Sequence, residues 1–200
     1  MERTLAPLDG LLLAGGRSSR MGADKAAQTY AGREQLARAY ELLAGVTGRA
    51  FVSIGRAQTD DPLRKRYPCV VDQVEDGGPA AALGSAFRRY PGSAFLVLAC
   101  DLPLLDDEVL RALVLARHPV HEAVAFTRDD DGLPEPLCAI YEPQLVARVA
   151  IGLTAGRGSL RRSLMDATLC RLPQPRGFAL ANVNTPEERE SALRTLAAHG

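Results

Sequence analysis

Short apolar runs alternate along this chain with stretches in which apolar residues recur every three or four positions. The runs are Asp9–Ala14, Ala50–Ile54, Cys69–Val71, Ala94–Ala99, Glu122–Thr127, Leu137–Tyr141 and Thr168–Leu172, and each is predicted to be a strand. Helical periodicity covers Arg33–Ala44, with Leu36, Ala39, Tyr40 and Leu43 on one face, and then Gln58–Tyr67, Pro79–Tyr90 and Asp106–Ala116. It resumes at Pro143–Ile151, Ser159–Asp166 and Pro186–Ala198. Punctuation agrees with these boundaries. Pro79 stands at a helix start, where a missing N–H costs nothing. Thr185 is placed to cap the last helix, with Glu187 and Glu188 in its first turn. Asp129-Asp130-Asp131-Gly132 reads as the turn of a hairpin. Ala94–Ala99 is apolar on both faces, which marks a central strand covered by helices on either side. The alternation predicts an α/β fold, Rossmann-like and doubly wound, with a mostly parallel sheet.

Composition narrows this picture. The 200 residues, 46% of them hydrophobic, fit a single domain spanning 1–200 with an ordinary core. Charges balance at 24 against 24, so neither nucleic acid nor an acidic membrane is expected as a partner. No apolar run approaches the ~20 residues that span a bilayer. The opening residues do not read as a secretory signal, and a cytoplasmic protein is expected. Four cysteines, at 69, 100, 138 and 170, are widely spaced and include no C-x-x-C pair. Three lie in apolar surroundings and are expected as buried thiols in a reducing compartment.

The chemistry concentrates where strands end. Leu11-Leu12-Leu13 breaks at Gly15-Gly16 into a polar loop with Arg17, Ser18, Ser19, Arg20 and Lys25. Adjacent glycines allow close approach of backbone to a ligand, and loop amides backed by cations suit a phosphate chain. The glycines at 15, 16 and 22 fit neither the Walker A loop nor the dinucleotide fingerprint, which removes a dehydrogenase from consideration. Asp101 follows the central strand directly, so its carboxylate sits on a rigid support, suited to a hard cation that takes one or two carboxylates plus phosphate oxygens. Arg20 and Lys25 are candidate phosphate clamps, the first bidentate and the second a movable point charge. Asp72 ends the third strand, and Gly77-Gly78-Pro79 opens the helix after it. In a parallel sheet, loop 15–25, Asp72, Gly78, Pro79, Asp101 and Asn182–Asn184 would share one rim.

Taken whole, LAGG at 13–16, Arg20-Met21-Gly22, Asp24-Lys25, Asp101-Leu102-Pro103 and Asn182-Val183-Asn184-Thr185-Pro186 resemble the motifs of the NTP-transferase superfamily, and within it the molybdenum cofactor guanylyltransferases. The resemblance runs from Leu8 to Glu188. It implies the nucleotide-diphospho-sugar transferase form of the fold, and transfer of GMP from GTP to the terminal phosphate of molybdenum-bound molybdopterin, giving the guanine dinucleotide cofactor and pyrophosphate. It implies that Leu13, Ala14, Gly15, Gly16, Lys25, Asp72, Gly78, Pro79 and Asp101 bind the nucleotide. Arg20, Lys25 and Asp101 would carry catalysis, with Mg²⁺ on Asp101. Asn182 and Asn184 would lie near the acceptor, and Arg157 and Arg161 could present cations to a phosphorylated pterin. Where the family usually has Gly-Pro-x-x-Gly, this chain has Ala82 in the last place.

GTP and molybdopterin are thus the expected substrates, with cofactor-delivery and molybdoenzyme acceptor proteins as further partners of a monomer or weak homo-oligomer. Three other readings stand beside this one. CTP could replace GTP, although the family's CTP users usually show Ala-Ala-Gly where this chain has Ala14-Gly15-Gly16. The acceptor could be a sugar 1-phosphate. Or the chain could be a nucleotide-binding regulator without turnover, which the presence of both Asp101 and Lys25 disfavours.

Overall fold

The computed structural model describes residues 4–15, 24–30, 32–75, 77–174, 178–183 and 185–199. Its centre is a seven-stranded sheet built from β1 (Leu8–Leu13), β4 (Arg49–Ile54), β5 (Cys69–Val71), β6 (Ala94–Ala99), β7 (Ala123–Thr127), β8 (Pro134–Tyr141) and β9 (Leu169–Pro173). A separate ribbon pairs β2 (Thr29–Tyr30) with β3 (Arg33–Glu34). In space the sheet runs β5-β4-β1-β6-β8-β7-β9. β5, β4, β1 and β6 are mutually parallel, with Leu11 opposite Phe51 on one side and Val97 on the other. β8 alone runs against its neighbours, opposing β6 and β7, while β9 is parallel to β7.

Strand alternation divides the core in two. Leu12, Val52, Leu96 and Leu98 point to one face, where α1 (Gln35–Ala44) and α3 (Asp107–Leu115) cover them. Leu11, Phe51, Phe95 and Val97 point to the other, beneath α2 (Gly78–Arg89), α4 (Pro143–Thr154) and α5 (Leu160–Met165). Every residue of β6 is buried, which is why its sequence is apolar without a break. The final helix, α6 (Pro186–His199), packs with Val183 and Ala192 against Tyr30 of the ribbon. Thr185 caps it as expected, and reciprocally: its hydroxyl accepts from the Glu188 amide at 3.2 Å while the Glu188 carboxylate accepts from the Thr185 amide at 3.0 Å.

Four details differ from the sequence reading. No helix forms over Gln58–Tyr67. Pro62 has no N–H to give, and the Asp61 carboxylate accepts the Arg64 amide at 2.9 Å, so the segment breaks into 3-10 turns at Arg56–Gln58 and Arg64–Arg66. The strand expected at Leu137–Tyr141 begins at Pro134 and is the reversed one. The two-residue strands of the ribbon are too short to leave a periodic signal. Of the cysteines, Cys100 and Cys138 are buried, Cys170 is half-buried and Cys69 is exposed, all four as free thiols. Among the described residues, no helix is long and apolar enough to cross a membrane.

Candidate functional site

Strand order reverses between β1 and β6, and the carboxyl ends of these two neighbours make the crevice where α/β sheets place ligands. Asp101 leaves the end of β6 there. Lys25, on a 3-10 turn at Lys25–Ala27, reaches across so that its Nζ lies 3.0 Å from Asp101 Oδ2. The two side chains are 26% and 24% exposed, so the pair faces solvent without being loose in it.

The segment carrying Asp101 is held from several sides. The Cys100 amide donates to the Leu13 carbonyl at 3.2 Å, and the Val183 amide donates to the Asp101 carbonyl at 3.1 Å. Gln35, buried at the start of α1, donates from Nε2 to the Cys100 carbonyl at 2.9 Å. One turn later Arg38 donates to the carbonyls of Pro103 and Leu105, the latter at 2.7 Å. An Asp whose backbone is fixed on both sides presents its carboxylate without paying for rearrangement on binding.

Beside this pair, over the ends of β4 and β5, a cavity of about 480 Å³ opens. Its wall includes Leu13, Gly15, Ser53, Gln58, Asp72 and the Gly78-Pro79 start of α2. Two glycines stand out here. A Cβ on Gly15 would touch the Gly55 amide nitrogen, just past β4, at a van der Waals distance of 3.4 Å, so there the two backbones run close together. Gly78 has φ +62°, the left-handed region that residues with a Cβ resist. The Ser53 hydroxyl donates to Asp72 Oδ1 at 2.6 Å. Burial pushes the Asp72 carboxyl above the usual aspartate range, and the Ser53 hydrogen bond pulls part of the way back. Gln58 is oriented by the Gly55 amide, which donates to its Oε1 at 2.9 Å and leaves the other end of the amide as an N–H donor. Ala82, standing where the resembling family has glycine, adds its methyl to the cavity wall.

The structure therefore gathers Leu13, Gly15, Asp72, Gly78 and Pro79 around one cavity and sets Lys25 on Asp101 one strand away. Ala14 turns inward: its methyl is in the core and its carbonyl accepts from Arg64. Asn182 is exposed and is brought to Asp101 by the Val183 hydrogen bond. Gly16, Arg20 and Asn184 lie outside the described residues. Arg157 is exposed in the α4–α5 loop, lining a different cavity between those helices. Arg161 approaches Asp131 of the β7–β8 hairpin at 4.0 Å. Sequence reasoning missed Gln35, Arg38, Ser53, Gln58 and Arg64. Ser53 could have been found, since it is next to last in a strand that ends on the rim, and Gln58 meets a partner only three residues away, at Gly55; Gln35, Arg38 and Arg64 act on partners distant in the chain and carry no local signal.

Comparison with known proteins agrees with this geometry. Residues 10–172 match the MobA-like NTP transferase domain. The chain is 31% identical over 196 residues to a molybdenum cofactor guanylyltransferase of Pseudomonas syringae pv. tomato, covering 93% of each. It is 33% identical over 183 residues to a molybdenum cofactor biosynthesis bifunctional protein of Synechocystis, covering 91% of this chain and spanning about half, 52%, of that one. The solved structure of molybdopterin-guanine dinucleotide biosynthesis protein A from Archaeoglobus fulgidus shares the fold, with a TM-score of 0.78, 20% identity and coverage of 95% and 99% of the two chains. With the family model matched over residues 10–172 and the Pseudomonas relative over nearly the whole chain, the chain belongs to the MobA-like NTP transferases and is a nucleotidyltransferase.

Proposed function

We propose that this nucleotidyltransferase of molybdenum cofactor biosynthesis joins GMP from GTP to the terminal phosphate of molybdopterin. The observation that carries this reading is the adjacency of a nucleoside-sized cavity and a Lys–Asp pair across the end of one strand, in a chain related to a molybdenum cofactor guanylyltransferase. A cavity of about 480 Å³ lies in the range that small ligands fill. Asp72 and Gln58 offer an acceptor and a donor to the base or ribose, and Gly15 leaves room for the chain to pass close to the nucleotide.

In this reaction an oxygen of the acceptor phosphate attacks the α-phosphorus of GTP, the bond to the β-phosphate breaks, and pyrophosphate leaves. No nucleophile from the protein is required. The chain's contribution is alignment and charge: Lys25 offsets negative charge on the departing pyrophosphate, while the cavity fixes the nucleoside so that the α-phosphorus faces the acceptor. The Arg20 side chain, on the same reading, adds a second cation.

Among the described residues no group of three or more His, Cys, Asp and Glu could hold a metal ion by itself. Among the described residues, the crevice offers the carboxylate of Asp101 as its donor. That suits Mg²⁺, which keeps water and substrate phosphate oxygens and needs only one or two carboxylates. Asp101 would hold it, and the ion would supply charge neutralisation at the phosphates. Asn182 and Asn184, with Arg157 and Arg161, are placed on the acceptor side in this proposal.

A second reading keeps the chemistry and replaces GTP by CTP; the Leu13-Ala14-Gly15-Gly16 string favours GTP. The deciding experiment measures pyrophosphate release with Mg²⁺ and a molybdopterin-loaded acceptor for GTP, CTP, ATP and UTP in turn. Release with GTP alone is expected. Release with CTP changes the product assigned, and silence with all four in spite of tight GTP binding overturns the transfer to molybdopterin.

A further inference from the structure

Arg64 comes from a run, Arg64-Lys65-Arg66, that reads as surface charge, and Lys65 and Arg66 are indeed exposed. Arg64 is 2% exposed. Its guanidinium donates from Nε and Nη2 to the Ala14 carbonyl at 3.1 and 2.9 Å. It donates from Nη1 and Nη2 to both carboxylate oxygens of Asp24 at 2.6 and 3.0 Å. Asp61 lies 3.3 Å from Nη1 on the third side.

These partners are not arbitrary core groups. Ala14 directly follows β1, and Asp24 opens the turn that bears Lys25. Asp24 does a second job with the same carboxylate, because Oδ1 accepts the Ala26 amide at 3.0 Å and so caps the Lys25 turn. The turn is completed by the Ala27 amide on the Asp24 carbonyl and the Gln28 amide on the Lys25 carbonyl. One planar side chain therefore ties the end of β1 to the root of the lysine that meets Asp101. A lysine in its place has one charged nitrogen and cannot reproduce a fork that serves a carbonyl and a carboxylate together. The Arg64 hydrogen bond also holds the Asp24 carboxyl below the usual aspartate range, so the carboxylate form that caps the turn is the favoured one.

We propose that Arg64 is a positioning residue for nucleotidyl transfer: by binding Ala14 and Asp24 at once, it sets where Lys25 stands relative to Asp101. The proposal rests on the transferase reading above, and its test is arranged so that the two can fail separately. Arg64→Met, Arg64→Lys, Asp24→Asn and the Arg64→Met/Asp24→Asn double variant are compared with the full-length wild type. The first readout needs no nucleotide: hydrogen exchange at the amides of Ala26, Ala27 and Gln28, with Val52 and Leu98 of the central sheet as internal references. The second is kcat, with KM for GTP and KM for the acceptor, in the pyrophosphate assay.

In Arg64→Met, exchange at the three turn amides is expected to rise about tenfold or more while Val52 and Leu98 stay as they were. Turnover of pyrophosphate release is expected to fall about tenfold with the acceptor KM unchanged, and Arg64→Lys to lie between. The double variant should add less than about twofold to either single change, since both break one unit. Asp24→Asn reads the same contact should Arg64→Met fold poorly. Unchanged turn amides overturn the proposal, as does faster exchange at turn and sheet alike, which is the mark of a residue that only stabilises. A wild type that turns over no nucleotide overturns the transferase reading, and the exchange readout still decides whether Arg64 holds the turn.

Discussion

Two ion pairs sit at opposite ends of the same sheet and are built to different rules. At the edge where β1 begins, Arg117 binds Glu142 through Nε and Nη2 at 2.8 and 3.0 Å and also donates to the Ala6 carbonyl at 2.9 Å, with both side chains under a tenth exposed. At the opposite rim, Lys25 touches Asp101 through a single oxygen, and each side chain is about a quarter exposed. The forked guanidinium satisfies its carboxylate and closes the site to anything else. The ammonium is a point charge on a flexible stem, and the carboxylate beside it retains accepting capacity. The first pair is complete as it stands; the second is arranged to exchange partners. Both are a basic side chain on a carboxylate in sequence, so it is burial and geometry that separate the closed pair from the open one.

The sharpest way to break this comparison is to delete each pair and ask what is lost. Asp101→Ala and Lys25→Ala are each expected to lower the turnover of pyrophosphate release by about 10²-fold or more while the melting temperature stays near that of the wild type. Near-wild-type turnover in either would remove the distinction. Arg117→Met should do the reverse, leaving Glu142 buried without its partner and lowering stability by about 3 kcal/mol in urea unfolding, with turnover unchanged below the transition. Smaller, and confined to the rim, is the effect of Ser53→Ala. Protonation takes the charge from Asp72 and weakens it as an acceptor for a base or ribose, so KM for GTP should rise on acidification, starting above the ordinary aspartate range because burial raises this carboxyl. Removing the Ser53 hydrogen bond, which favours the ionised form, should move that rise to still higher pH in a KM profile. The smallest effect concerns the support beneath Asp101. Burial pushes the Cys100 thiol up to about 12, so a maleimide should label Cys69 in the native protein and leave Cys100 untouched until the sheet opens. Rapid Cys100 labelling would mean the Asp101 end of β6 is less firmly held than its hydrogen bonds imply.

Much of this arrangement was legible before any coordinates. β1, β4 and β6 announce themselves because strands covered on both faces have to be apolar throughout, and the rule that ligands collect at strand ends then singles out Asp72 and Asp101. What was not legible shares one physical cause. Gln35 and Arg38 each reach a carbonyl 65 or more positions away, and Arg64 reaches Ala14 across 50. A side chain whose partner is a distant backbone group leaves no pattern in its own neighbourhood, and Arg64 is further disguised by two exposed basic neighbours. The reversal of β8 is hidden for a similar reason: alternation reports which face a residue occupies and is silent on which way the strand runs.

That reversal has a consequence for how the protein can change. A parallel strand must be reached by a crossover the length of the whole sheet, whereas β8 is reached from β7 by a hairpin whose six-residue tip, 128–133, hangs over the same rim as Asp101. Lengthening such a tip costs only closure entropy, about 0.6 kcal/mol for each doubling. Every described group that lines the 480 Å³ cavity, by contrast, lies on the parallel half. New chain can thus be added on the Asp101 side of the rim, by natural variation or by design, while the lining of the cavity is left as it is.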